Sequence, residues 1–290
     1  MSRYLIIGIH GLSNKPPASR LKAWWTEAIV EGLRRNLERS GGIAFDLAYW
    51  ADLMYDAPLD PDPEPYAPAA GTGPLPRRED SSRRRLKDQS KAAAVGLADK
   101  TTAVPGLGRI VDEVIERKAP DLHAYYQDPD ERLRIQQKLS DALAAAHQAG
   151  QRILLIAHSM GSIVAFDVLA TIETTLPGFR LYHLITVGSP LGFHQVKKKI
   201  RAEDVPLVVP ETVEAWTNLA DRKDKVASDT RLRTDYKSNR RGVGVVDRLV
   251  INGYVAPPPP GHEGKPNPHK IYGYLRTPEL SEAIDRFITS

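Results

Sequence analysis

The strongest constraint on the fold is a strand–helix–strand pattern between residues 153 and 187. Ile153-Leu-Leu-Ile-Ala157 is an unbroken apolar run, Ser162–Thr171 is apolar on most faces of a helix, and Leu181–Val187 is largely apolar again. A strand apolar on both sides must be covered on both sides, and a helix between two such strands is the parallel crossover unit. The same pattern opens the chain. Residues 3–9 form a short run closed by the turn signal Gly11-Leu-Ser-Asn-Lys-Pro-Pro17. Leu21, Trp24, Trp25, Ala28, Ile29, Leu33 and Leu37 then recur at spacings of three and four, the stripe of a helix from 20 to 39 that stops at Gly41-Gly42. On this stripe Trp24 and Trp25 are core residues. Strands are expected at 43–50, 213–219 and 245–252. Helices are expected near 131–150, through Ile135, Leu139, Leu143 and Ala146, and at 278–288, through Leu280, Ala283, Ile284 and Phe287. The class implied is α/β, with a mainly parallel sheet and helices on both faces.

A chain of 290 residues fits one large domain with an insertion. Seven of the 23 prolines fall in residues 57–76 and six in 257–268, which makes both segments loops. Arg77–Lys91 holds seven basic and three acidic residues, as large an excess as the whole chain's net charge of +4. With Ile110, Val111, Val114 and Ile115 beyond it on a short helix, residues 57 to about 120 are expected to form a mostly helical insertion. A bias this small and this local does not point to nucleic acid. The basic run and Ala92–Leu97 make residues 77–97 a place for weak contact with an anionic membrane, against the plainer reading of a solvated insertion. There is no signal-like leader and no stretch near ~18 apolar residues, so a cytoplasmic protein is expected.

The chain has no cysteine, which excludes thiolate chemistry and Cys-ligated metals. Neither H-E-x-x-H nor Gly-x-x-x-x-Gly-Lys occurs, so no metal or cofactor is expected. What stands out is Ala157-His158-Ser159-Met160-Gly161, between strand and helix. A serine on such a turn sits on strained backbone, so the residues two before and two after it must be small, as Ala157 and Gly161 are. Serine also needs a base and an acid to orient it. The strand 213–219 runs into Ala220-Asp221-Arg-Lys-Asp224-Lys-Val226 at the sheet's carboxyl edge. Asp224 is preferred as the acid, with Asp221 the alternative. His269, beside Ile271, Tyr272 and Tyr274, is preferred as the base over His262, whose neighbours give a ring no anchor. Glycine in His10-Gly11-Leu12 lets backbone approach a substrate, so the N–H groups of Leu12 and Met160 form a candidate oxyanion hole. His158 belongs to the turn, and His183 is a core histidine.

With these residues in this order, the chain resembles α/β-hydrolases of the lipase and esterase type, over about residues 3–56 and 131–290. The match rests on His10-Gly11, the Ala157–Gly161 turn, Asp224 with Val226, His269, and Gly188-Ser-Pro-Leu-Gly192, the last also resembling inositol-deacylase and lecithin-acyltransferase relatives. Alanine stands where the commonest pattern has glycine. The resemblance implies an α/β-hydrolase fold with a helical cap at 57 to about 120. It also implies a Ser159–Asp224–His269 triad acting on small-molecule or lipid esters. An acyltransferase with the same triad, or a non-catalytic scaffold binding a partner through its insertion, are the alternatives.

Overall fold

Six short apolar segments do become strands: β1 (Tyr4–Ile9), β2 (Phe45–Ala48), β3 (Arg152–His158), β4 (His183–Val187), β5 (Trp216–Ala220) and β6 (Val245–Leu249). The computed structural model describes residues 3–78, 120–203, 205–258 and 263–290. All five pairings in this sheet are parallel, in the order β2-β1-β3-β4-β5-β6. The chain therefore leaves β1 in one direction to make β2 and crosses back to the other side to make β3. That reversal opens a crevice beyond the carboxyl ends of β1 and β3, where open α/β sheets bind ligands.

Alternate residues of each strand enter opposite cores. Ile7, Ile9, Ile153, Leu155 and Ala157 pack in one, and Ile6, Leu154 and Ile156 in the other. The first core is covered by α4 (Pro129–Gln148) and α5 (Met160–Thr175), the second by α1 (Ala18–Leu37), α7 (Ile271–Leu275) and α8 (Pro278–Thr289). Smaller elements complete the described residues: α2 (Ala51–Met54), α3 (Pro120–Gln127), α6 (His194–Ala202), a 3-10 turn at Leu232–Thr234 and the hairpin β7 (Val255–Ala256) with β8 (Lys265–Pro266). The expected α/β class, with helices on both faces, is what the chain adopts. Side-chain caps start two of the helices: Asp128 accepts from the Asp130 and Glu131 N–H groups at the start of α4, and Thr277 from Leu280 at the start of α8. Trp25 is fully buried, whereas Trp24 is only half-buried.

The first proline cluster is the loop its prolines predict, whereas the second, 257–268, includes the short strand β8. Residues 57–78 contain no helix or strand, and much of this segment is pinned along α1 and the loop before α8. The Arg35 guanidinium donates to the carbonyls of Ala69, Ala70 and Gly73, and Arg276 to that of Ala67. Both cations share the buried Glu31 carboxylate, which also accepts from Tyr66 and the Ala69 N–H. Arg77 continues the attachment by pairing with Glu282 on α8. The opening of the expected helical cap is thus a strap on the helical flank. The rest of that insertion, including most of the basic run and the helix expected at 110–118, lies outside the described residues, as does His262. No helix among the described residues is long and apolar enough to cross a membrane.

Candidate active site

β3 ends at His158, α5 begins at Met160, and Ser159 makes the turn alone with φ 52° and ψ −129°. A non-glycine residue there carries strain of about 1–3 kcal/mol, held in place by its surroundings. Part of that hold is the Ser159 N–H donating to the Val187 carbonyl at 3.1 Å. The rest is close packing against the end of β1. A Cβ on Gly161 would lie 2.6 Å from the His10 oxygen, and one on Gly11 would lie 2.5 Å from Cβ of Ser159. Those two glycines let β1's exit loop touch the turn directly. Ala157 is fully buried, which gives the small residue expected before the serine a packing reason.

His269, between β8 and α7, places Nε2 3.1 Å from Oγ of Ser159 and Nδ1 2.9 and 3.0 Å from the two oxygens of Asp224. Asp224 is buried, and its carboxylate accepts from the Val226 N–H at 2.9 Å, the Ala227 N–H at 3.4 Å, the Tyr274 hydroxyl at 2.7 Å and His269. Asp221 is also buried, but its oxygens accept from the Lys223 and Asn252 N–H groups at 2.8 and 2.6 Å. The structure thus sets Asp224 against the histidine and gives Asp221 to the backbone. Tyr274 links the two segments, accepting from the Asp221 N–H at 3.1 Å while donating to Asp224.

Residues outside the serine, histidine and aspartate support this arrangement. Gly188, with φ 56°, lies beneath the contact between acid and base; a Cβ there would meet Asp224 Oδ2 at 3.0 Å and His269 Nδ1 at 3.2 Å. Asn267 accepts from the His269 N–H at 3.1 Å, and Asn252 donates to the Lys270 carbonyl at 2.9 Å. His158 does more than form the turn. Its Nε2–H donates to the His269 carbonyl at 2.9 Å, with the two rings 4.8 Å apart. Burial, reinforced by His269, pushes His158 well below the ordinary histidine range. His183 donates to or accepts from Thr217 at 2.9 Å, and burial brings it down to about 4.

The loop after β1 is equally determined. Nε2 of His10 accepts from the Trp50 N–H at 3.1 Å, so the proton of the neutral ring is on Nδ1, which donates to the Gly11 carbonyl at 2.9 Å. Trp50 stacks on the ring at 4.6 Å and returns a bond from its indole N–H to the His10 carbonyl. In a trans peptide the N–H points opposite to the C=O, so fixing the Gly11 oxygen turns the Leu12 N–H away from His10. Among the described residues no acceptor takes the N–H of Leu12 or of Met160 at the start of α5. No group of three or more acidic or histidine residues that could hold a metal ion occurs among the described residues. No family model matches the chain. No curated protein matches it either.

Proposed function

We propose that the chain is an α/β-hydrolase that cleaves carboxylic esters through Ser159. The observation that carries the proposal is the continuous path from Ser159 Oγ through His269 to the buried Asp224, with contacts of 3.1 and 2.9 Å. The sheet order supports the fold assignment, because a nucleophile at the end of β3 faces the crevice where the strand order reverses. In the proposed cycle His269 takes the Ser159 proton as Oγ attacks the ester carbonyl, and Asp224 stabilises the imidazolium. The N–H groups of Met160 and Leu12 receive the developing oxyanion, the first aided by the N-terminus of α5. His269 then gives its proton to the departing alcohol, and water releases the acyl group by the same route. The 29% exposure of the His269 side chain leaves the base open to substrate, while Asp224 has none.

Reaction with a fluorophosphonate probe and turnover of a nitrophenyl acyl ester test this directly. Both are expected in the wild-type protein and absent in Ser159→Ala. A folded wild-type protein that neither labels at Ser159 nor turns over the ester would return the chain to a non-catalytic scaffold.

A further inference from the structure

Two ions of opposite sign meet on one peptide of the loop after β1, and the proposed cycle uses neither. The Lys15 ammonium donates to the carbonyls of Leu12, of Ser13 at 2.7 Å and of Asn14 at 3.5 Å. Asp121, in the first turn of α3 and 3% exposed, accepts from the Ser13 N–H at 2.5 Å and from the Tyr55 hydroxyl at 2.6 Å. The Leu12 carbonyl and the Ser13 N–H belong to the same planar unit and point in opposite directions. This peptide is therefore gripped at its oxygen by an ammonium and at its N–H by a carboxylate. Local preference does not explain the grip, since Ser13 has φ 72°, a region that non-glycine residues rarely occupy. The preceding peptide is fixed by His10 on the Gly11 carbonyl. Leu12 thus joins two planes that are each held from outside.

We propose that Lys15 and Asp121 are positioning residues of the oxyanion hole, an ion clamp that aims the Leu12 N–H by fixing the peptide after it. The inference rests on the serine-hydrolase reading and extends it to side chains that touch neither substrate nor triad. Charge-assisted bonds on both ends of the peptide suit this purpose, because an oxyanion donor works only if it does not have to reorient during the reaction. Burial, with nearby Lys270 adding to it, lowers Lys15 to about 7 against the opposing pull of Asp121 and Asp62, so the ammonium that grips this peptide is complete only below that pH.

The test uses the full chain and a nitrophenyl acyl ester, with Lys15→Met, Asp121→Leu, their double variant and Asp121→Asn, each shown to be folded by circular dichroism. Losing one oxyanion donor typically costs about 100- to 1,000-fold in kcat, so mis-aiming one is expected to cost roughly 10- to 100-fold. KM should stay near the wild-type value, and labelling of Ser159 by a fluorophosphonate should slow in parallel. Asp121→Asn keeps an acceptor for the Ser13 N–H and should recover most of the activity lost in Asp121→Leu. Because both ions act on one peptide, the double variant should lose little more than the worse single variant. Where Lys15→Met does not fold, Lys15→Gln takes its place, with kcat again expected to fall. Wild-type kcat in the folded single variants, or losses that multiply as independent effects, would overturn the clamp. An inert wild-type protein would instead overturn the hydrolase reading beneath it.

Discussion

Replacing Asp224 by asparagine tests the site most sharply, because the surrounding bonds dictate how the amide must sit. Oδ1 of Asp224 accepts from the Val226 N–H at 2.9 Å, and backbone N–H groups cannot reverse. The amide oxygen of Asn at this position is therefore held at the Oδ1 site, which puts the NH2 where Oδ2 now lies. That site faces His269 Nδ1 at 2.9 Å and the Tyr274 hydroxyl at 2.7 Å. The NH2 can only donate, so Nδ1, 2.9 Å from it and 3.0 Å from the amide oxygen, meets a donor where it had an acceptor, and the ring proton is drawn to Nε2, opposite Ser159. A ring in that tautomer cannot take the serine proton. The equivalent change in a characterised serine protease lowers kcat by about 10,000-fold, or roughly 5 kcal/mol of transition-state stabilisation. A comparable loss is expected here, with circular dichroism unchanged. Asp221→Asn is the control. Its carboxylate serves only the Lys223 and Asn252 N–H groups, so it should cost roughly 1–3 kcal/mol of stability but less than about tenfold in kcat. Steady-state hydrolysis of a nitrophenyl acyl ester and urea melts separate the two effects. A larger kcat loss in Asp221→Asn, or a loss below tenfold in folded Asp224→Asn, would refute the assignment of the acid.

The strained serine has a signature independent of activity. Ser159→Ala keeps the unfavourable φ of 52°, whereas Ser159→Gly removes most of its cost, offset by roughly 0.5–1 kcal/mol of extra chain entropy. Both variants should be inactive, but the glycine variant should be up to about 2 kcal/mol more stable than the alanine variant in urea; the opposite order would mean the turn is unstrained. His183 predicts an acid-side effect. Burial, with a smaller contribution from Arg286, brings the folded histidine to about 4, while the unfolded chain takes up its proton near the ordinary value of 6.5. Between these values the unfolded state binds more protons, so stability is complete above about 6.5 and falls as pH drops towards 4, by at most about 3 kcal/mol. His183→Gln should flatten that part of the pH–stability curve, and an unchanged slope would assign the acid sensitivity elsewhere.

How much of this was legible in the sequence depended on the distance over which each residue finds its partner. β3, the turn at Ser159 and α5 follow one another directly, so local apolar patterning and two small residues were enough to find them. Asp224 could be proposed because it follows a recognisable strand and His269 because it precedes an anchoring cluster, although the contacts that set Asp224 apart from Asp221 come from the fold. Asp121 could not be found that way. Its partner, Ser13, is 108 positions away, and nothing near either residue marks the contact. α6 was hidden by Lys197-Lys-Lys199, whose charge obscures the inward pair Val196 and Ile200. Glu31 and Arg35 were equally unmarked. At a spacing of four they read as an ordinary surface pair on a helix, yet both are buried, because they hold the strap that the proline cluster becomes.

The same burial that fixes the site also restricts where a proton can go. His10, His158 and His269 lie around Ser159, and in the proposed cycle one of them must become charged. His10 is pushed down by burial and by the Lys15 charge, and it needs an unprotonated Nε2 to accept from Trp50. His158 is pushed down by burial and by His269 itself, so a charge on the base makes proton transfer to its neighbour less favourable. Only His269 has a carboxylate on one nitrogen and the serine on the other. The imidazolium is therefore confined to the ring beside Asp224, where the proton is available for the leaving group. Lys15 contributes twice to this arrangement: its field helps keep His10 and His158 neutral, while its bonds hold the loop that would receive the oxyanion. Its replacement should therefore affect both proton placement and donor geometry, and Asp121→Leu, which removes a carboxylate that favours the Lys15 charge, acts on geometry and weakens that field as well.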